Sequence, residues 1–67
     1  MSIKRACEIV GGQSKLASKL GISPAAVHRW LKRGEPPATR VLQIEQATGG
    51  KVHRTELRPD IYPPGEP

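Results

Sequence analysis

The sequence predicts an all-α fold: a compact bundle of four to five short helices that contains a helix-turn-helix. Three observations predict it. The stretch Gln13 to Trp30 reads as two short helices joined by a tight turn. Ile3, Ala6, Cys7 and Val10 fall at i, i+3, i+4 and i+7, the stripe of an amphipathic helix. Gly11-Gly12, Gly34 and Gly49-Gly50 stand where helices stop. With 67 residues the chain has room for one domain, expected over residues 1–62, with a disordered end over 63–67 (PPGEP). A domain this short buries only about 60% of its unfolded surface. There is no Phe and one Trp, so Trp30 should be a large share of the core.

The first helix is expected over Ser2 to Val10, capped by Ser2. The second runs from Gln13 to Leu20, with Leu16, Ala17 and Leu20 on one face. Its first N–H groups lack intrahelical partners and favour an anion, so Gln13, Ser14 and Lys15 form a candidate anion site. Gly21 follows the last apolar residue, where a chain leaving a helix needs positive φ. Ile22 is apolar within the turn and should plug the angle between the helices. Ser23 is placed to cap the third helix, and Pro24 suits its first position because the missing N–H would be unpaired there. That helix runs to about Lys32, with Val27, Trp30 and Leu31 turned inward. Pro24, Ala25, His28, Arg29 and Lys32 are left outward. A helix-turn-helix is expected at about residues 13–31 on this pattern of small residue (Ala17), turn glycine and branched apolar residue (Val27).

Glu35-Pro36-Pro37 is a turn into a fourth helix, about Ala38 to Thr48, with Val41, Leu42, Ile44 and Ala47 apolar. Arg40 lies in its first turn, an odd place for a cation; an arriving phosphate would relieve the conflict, and a plain exposed Arg is the other reading. Lys51 to Thr55 suggests a short strand or extended arm. Thr55 to Arg58 suggests one helical turn, capped by Thr55 and stopped by Pro59. Leu57, Ile61 and Tyr62 are apolar enough to fold back on the body.

Eleven Lys and Arg oppose six Asp and Glu, for a net charge of +5. Between Gln13 and Arg40 stand six basic residues (Lys15, Lys19, Arg29, Lys32, Arg33, Arg40) and one acid, Glu35. Glu8, Glu45, Glu56, Asp60 and Glu66 lie elsewhere, so positive charge concentrates at the helix-turn-helix and its flank, which suits a polyanion. The single Cys7 excludes an intramolecular disulfide, fits a reducing cytosol and reads as a small buried hydrophobe. No apolar run is long enough for a membrane span, and no signal-peptide pattern is visible. His28 and His53 have no Ser or Cys arranged for nucleophilic work, and two His with one distant Cys make no zinc motif. No P-loop is present. An enzyme, a metal site and a cofactor are not expected.

With Gln13, Ala17, Gly21 and Val27 on its pattern positions, the stretch resembles the helix-turn-helix of phage Cro and related repressors. The whole chain, including the LRPDIYP run near its end, is similar to small prophage regulators of the YdaS type, often labelled antitoxins, over roughly residues 3 to 63. The resemblance implies that Gln13 touches a DNA phosphate. It also implies that the first two residues of the third helix, and those four and five later, meet base edges in the major groove: Pro24, Ala25, His28 and Arg29. Pro24 and Ala25 depart from lambda Cro, which carries polar residues at these places; they offer only apolar contact, as to a thymine methyl. Arg29 is the best candidate for specific readout, by a bidentate contact to guanine worth about 1–3 kcal/mol. A solvated or phosphate-bound Arg29 is the other reading, and His28 donates to base or phosphate or stays solvated. With so few polar readers, DNA shape could carry much of any specificity. Phosphate contact is expected of Gln13, Ser14, Lys15, Lys32, Arg33 and Arg40. Lys32 and Arg33 also suit the C-terminal dipole of their helix.

The expected function is a sequence-specific regulator of transcription that binds double-stranded DNA in the bacterial cytoplasm, with the nucleoid. Such proteins usually bind as dimers on half-sites about 34 Å apart. Lys51 to Tyr62 is the candidate dimer surface, and a dimer formed only on DNA is the other arrangement. The alternative function is an antitoxin that neutralises a toxin protein through Leu57, Ile61 and Tyr62. The two are compatible.

Overall fold

A computed structural model describes residues 2–63, the side chain of Ser2 excepted. The helices are α1 (Ser2–Val10), α2 (Gln13–Leu20), α3 (Pro24–Arg33), α4 (Val41–Ala47) and α5 (Arg54–Leu57), with a 3₁₀ turn, Ala38–Arg40, leading into α4. Among the described residues there is no strand. The all-α expectation holds.

α2 is the hub: it packs against α1, α3 and α4, while α5 lies on α1 and α4. One cluster of buried residues joins all five helices: Ile3, Ala6 and Cys7 from α1, Leu16 and Ala17 from α2, Val27 and Trp30 from α3, Val41 and Ile44 from α4, and Leu57 from α5, with Val52 beside them. Burying each of the larger aliphatic side chains is worth about 1.5–3 kcal/mol. A short chain can fold on so few because the helices share them.

The stripe of α1 is where the sequence puts it, with Val10 half-buried at its end. The cap expected of Ser2 rests on a side chain outside the described residues, and Ser2 is itself the first residue of α1. The N–H groups of Gly11 and Gly12 both reach the Cys7 carbonyl, at 3.0 and 2.7 Å. The turn between α2 and α3 forms as expected. Gly21 takes φ 70°, and the Gly21 and Ile22 N–H groups donate to Ser18 and Ala17 carbonyls at 3.2 and 3.0 Å. These bonds satisfy carbonyls that the end of α2 would leave open. Ile22 packs half-buried against the core. Ser23 Oγ accepts from the Ala26 N–H at 3.4 Å, and Pro24 opens α3. Gly34 ends it at φ 89° with its N–H on the Trp30 carbonyl, one residue later than expected.

The fourth helix differs from expectation. Residues 38–40 wind as a 3₁₀ turn, closed by an i→i+3 bond from the Arg40 N–H to the Pro37 carbonyl at 3.0 Å. Arg40, at φ −105° and ψ −7°, ends this turn and is the N-cap of α4. Thr48 is its C-cap, not a helical residue.

The arm expected over 51–55 is also corrected. Gly49 and Gly50, at φ 65° and 81°, turn the chain back, and the Val52 N–H donates to the Thr48 hydroxyl at 3.2 Å. Val52 is thereby drawn into the core instead of extending. The helical turn near the end exists but begins at Arg54. His53 caps it through its main chain, its carbonyl accepting from the Glu56 and Leu57 N–H groups at 2.9 and 3.2 Å. Thr55 lies inside the turn and makes no cap. Of the tail's apolar residues, Leu57 is buried, Tyr62 is half-buried with the Arg54 guanidinium 5.6 Å above its ring, and Ile61 is 40% exposed. The disordered end expected over 63–67 falls, Pro63 apart, outside the described residues.

Candidate nucleic-acid interface

α3 has two unlike faces because Val27 and Trp30 are one helical turn apart and buried. That burial fixes the rotation of the helix. Pro24, Ala25, His28, Arg29 and Lys32 are consequently all exposed. The structure thus brings the four residues expected to read bases onto one outward strip, with Lys32 and Arg33 at its C-terminal end.

Gln13, Ser14 and Lys15 are exposed at the start of α2. Its N-cap is Gly12, which offers no side chain, and the first helical bond is Leu16 N–H to the Gly12 carbonyl at 3.0 Å. α3, in contrast, is capped by its own Ser23. The Lys15 stem lies over Gly11: a Cβ built there would meet Lys15 Cδ at 3.1 Å. The ammonium is therefore held near the open end of α2.

Arg40 behaves differently from the other candidates. It is half-buried, and its Nη1 donates to Gln43 Oε1 at 2.9 Å. The amide oxygen one turn on answers the oddity of a cation at a helix start without any phosphate.

The cations divide into two groups. The side chains of Lys15, Lys19, Arg29, Lys32 and Arg33, and outside the helix-turn-helix those of Lys4 and Lys51, are exposed and have no hydrogen-bond or ion-pair partner among the described residues. Arg5, Arg54 and Arg58 are each held by carboxylates. Arg5 pairs with Glu56. Arg54 donates to Glu45 from its backbone N–H at 2.9 Å and from Nη2 at 2.8 Å, with His53 Nδ1 3.3 Å from the same carboxylate. Arg58 donates to Asp60 at 3.0 and 2.8 Å. Hydrogen bonds from Arg54, Arg5 and Arg58 hold the carboxyls of Glu45, Glu56 and Asp60 below their ordinary ranges. The +5 balance is thus displayed mainly by the helix-turn-helix, while the C-terminal third largely neutralises itself.

Sequence reasoning missed this second group. Glu45, Arg54 and His53 come together only because Gly49-Gly50 reverses the chain, and glycines that read as helix stops do not disclose the direction taken next. Arg58 is visible in the sequence only as part of the LRPDIYP run. Its spacing to Asp60 signals a local pair, but nothing in the sequence signals its bond to Pro36, 22 residues away.

Burial and the neighbouring Glu8 push the Cys7 thiol up, away from a reactive thiolate. Among the described residues no group of three or more His, Cys, Asp or Glu gathers to hold a metal, and no helix is long and apolar enough to cross a membrane. An open groove of about 380 Å³ between α2 and α4 is lined by Lys19, Leu20, Gln43, Gln46 and Ala47. Lys19 is its one titratable lining group, so it has no acid–base pair.

The class defined by these features is a small helix-turn-helix protein. The family described as "Bacterial toxin YdaS" matches residues 3–66, and the chain belongs to that family. It is 52% identical over 61 residues to the putative transcriptional regulator YdaS of Escherichia coli strain K12, an alignment covering 90% of this chain and 62% of that protein. The chain therefore spans less than two thirds of that relative's length. It is 42% identical over 53 residues to a prophage transcriptional regulatory protein of the same strain, covering 76% of this chain and 79% of the other. Among solved structures, the Cro protein from element Xfaso 1 of Xylella fastidiosa strain Ann-1 matches with a TM-score of 0.87 at 42% identity, covering 90% of this chain and 92% of that one. The fold is Cro-like, as the helix-turn-helix residues imply.

Proposed function

We propose that the chain is a sequence-specific regulator of transcription that binds duplex DNA with α3 in the major groove. The observation that carries this reading is the exposed strip Pro24, Ala25, His28 and Arg29, flanked by unpartnered cations, in a molecule whose Arg5, Arg54 and Arg58 are paired with carboxylates. Names of relatives support it: YdaS and the prophage protein carry names of transcriptional regulators, and the matched structure is a Cro protein. Gln13, Ser14, Lys15, Lys32 and Arg33 take phosphates, Arg40 adds one if it leaves Gln43, and Arg29 reads a base. The role is binding, not catalysis, by a single domain in the cytoplasm at the nucleoid. One α3 reads few base pairs, so two copies act on a two-fold site, either as a preformed dimer or one assembled on DNA.

The test is selection from a random duplex library at about 150 mM salt, where weak electrostatic binding is suppressed. A recovered motif with two-fold symmetry is expected. Recovery of no motif, with binding that vanishes as salt rises, overturns the reading.

A second reading has one structural foothold. The family's description speaks of a toxin, whereas the sequence resemblance suggests an antitoxin that neutralises one. The antitoxin role involves a partner protein. Of the three tail residues a partner would grip, Leu57 is consumed by the core and Tyr62 is half-covered, so Ile61 alone remains open. Ile61→Asp leaves operator binding intact and removes partner capture if this reading holds.

A further inference from the structure

Between Gln13 and Arg40 the one carboxylate is Glu35. It follows Arg33 and the helix-ending Gly34, beside the cations at the exit of α3. A free carboxylate there would pair with Lys32 or Arg33, or repel an incoming phosphate. The structure gives Glu35 another neighbour. Arg58 Nε lies 3.7 Å from Glu35 Oε1. The same guanidinium donates from Nη1 to the carbonyl of Pro36 at 3.0 Å, and to Asp60 from Nε and Nη2. Its side chain is only 15% exposed, while that of Glu35 is 42% exposed.

Several contacts fix Arg58 in this place. The Arg58 carbonyl accepts from the Ile61 and Tyr62 N–H groups at 3.0 and 2.9 Å, so the LRPDIY run is wound around it. Pro36, whose carbonyl it holds, is fully buried. Asp60 fixes the plane of the guanidinium through Nε and Nη2, Nη1 donates to the Pro36 carbonyl in the turn after α3, and Glu35 is met as an ion pair at 3.7 Å without a hydrogen bond. Among the paired arginines, Arg5 and Arg54 hold acids that lie outside the basic stretch. Arg58 alone reaches the acid within it.

We infer that Arg58 is a positioning residue for polyanion binding: it screens Glu35 and ties the Glu35-Pro36 turn, so that Lys32 and Arg33 meet phosphate unopposed. This rests on the proposed DNA-binding reading and specifies which residue outside the helix-turn-helix that surface depends on. The C-terminal run then completes the basic face without contacting the ligand.

The experiment compares Arg58→Gln with Arg54→Gln, which removes the same charge from a pair outside the stretch. Retention on immobilised heparin and duplex binding across a salt series are measured, with thermal melts to verify folding. Arg58→Gln is expected to elute earlier from heparin than Arg54→Gln. Its duplex binding is expected to fall about five-fold at about 150 mM salt, the factor that one phosphate neutralised with counterion release is worth relative to 1 M salt. Adding Glu35→Gln to Arg58→Gln restores retention and affinity. Adding Glu8→Gln, which restores the net charge from α1 and leaves Glu35 bare, does not. Equal behaviour of Arg58→Gln and Arg54→Gln overturns the inference, and so does a loss that Glu35→Gln fails to rescue in a folded protein. If the unmutated chain binds heparin but selects no duplex motif, the operator reading fails by itself, and the heparin comparison still decides the role of Arg58.

Discussion

Thr48 and Val52 are joined by a buried hydrogen bond, the Val52 N–H donating to Thr48 Oγ1 at 3.2 Å while that hydroxyl donates to the Glu45 carbonyl at 2.9 Å. Thr48 is 4% exposed and Val52 fully buried. One hydroxyl thus closes α4 and brings the C-terminal third back onto the core. Thr48→Val keeps the shape and leaves the Val52 N–H without its partner, at a cost of about 1–3 kcal/mol. In a domain of this size each kcal/mol lowers Tm by about 4–8 °C. A calorimetric melt of Thr48→Val that matches the parent would show that the bond contributes nothing net.

Stability should fall toward acid pH. Glu45, Glu56 and Asp60 have their pKa lowered in the fold, chiefly by hydrogen bonds from Arg54, Arg5 and Arg58 respectively. A lowered folded pKa means that the unfolded chain takes up protons first as pH drops. The stabilisation is therefore complete above the unfolded carboxylate range, about 3.9–4.3, and is lost as pH falls through the lower folded values. Melts from about pH 7 down to about pH 2.5 are expected to show a falling Tm. Glu45→Gln starts lower at neutral pH and loses less on acidification, since the group that titrates is gone. A variant that loses as much as the parent between the same pH values removes Glu45 from the effect.

The helices are legible because each is written in local chemistry. Ile3, Ala6 and Cys7 declare α1 by spacing. Gly21, Ser23 and Pro24 punctuate the turn with residues whose φ, hydroxyl or missing N–H suits one place only. Legibility ends where long-range pairing decides. Residues 38–40 read as α-helix because propensity does not register that Pro37 commits the Arg40 N–H to a shorter loop. Residues 51–55 read as extended because nothing local shows the Thr48 hydroxyl waiting for Val52. For the interface, the exposed strip of α3 follows from burying Val27 and Trp30. The partition of the cations does not, since it depends on Arg5 meeting Glu56 and Arg58 meeting Glu35 across the fold.

Arg29→Ala tests the division between reading and holding. On the proposed α3 strip, Arg29 is the side chain able to make a bidentate contact with guanine, worth about 1–3 kcal/mol of discrimination. The variant is expected to tolerate substitution at one base step of the selected motif while binding random duplex as the parent does. Competition titrations against single-base operator variants measure it. An equal loss on every duplex would make Arg29 a phosphate contact.

The free and the paired cations should differ in the salt dependence of binding. Lys15 stands over Gly11 at the uncapped start of α2, and Arg33 ends α3; neither has a partner among the described residues. Each phosphate that a protein cation neutralises adds about 0.9 to the steepness of log K against log salt. Lys15→Ala and Arg33→Ala are each expected to make the slope shallower by about that amount, weakening all duplexes alike. Arg5→Ala removes the same formal charge, but Arg5 is already paired with Glu56. Its slope is expected to stay at the parent value. A uniform drop for all three variants would mean that DNA senses only the net charge and that no surface is singled out. A slope unchanged in Lys15→Ala alone would take Lys15 out of the interface and leave Arg33 in it.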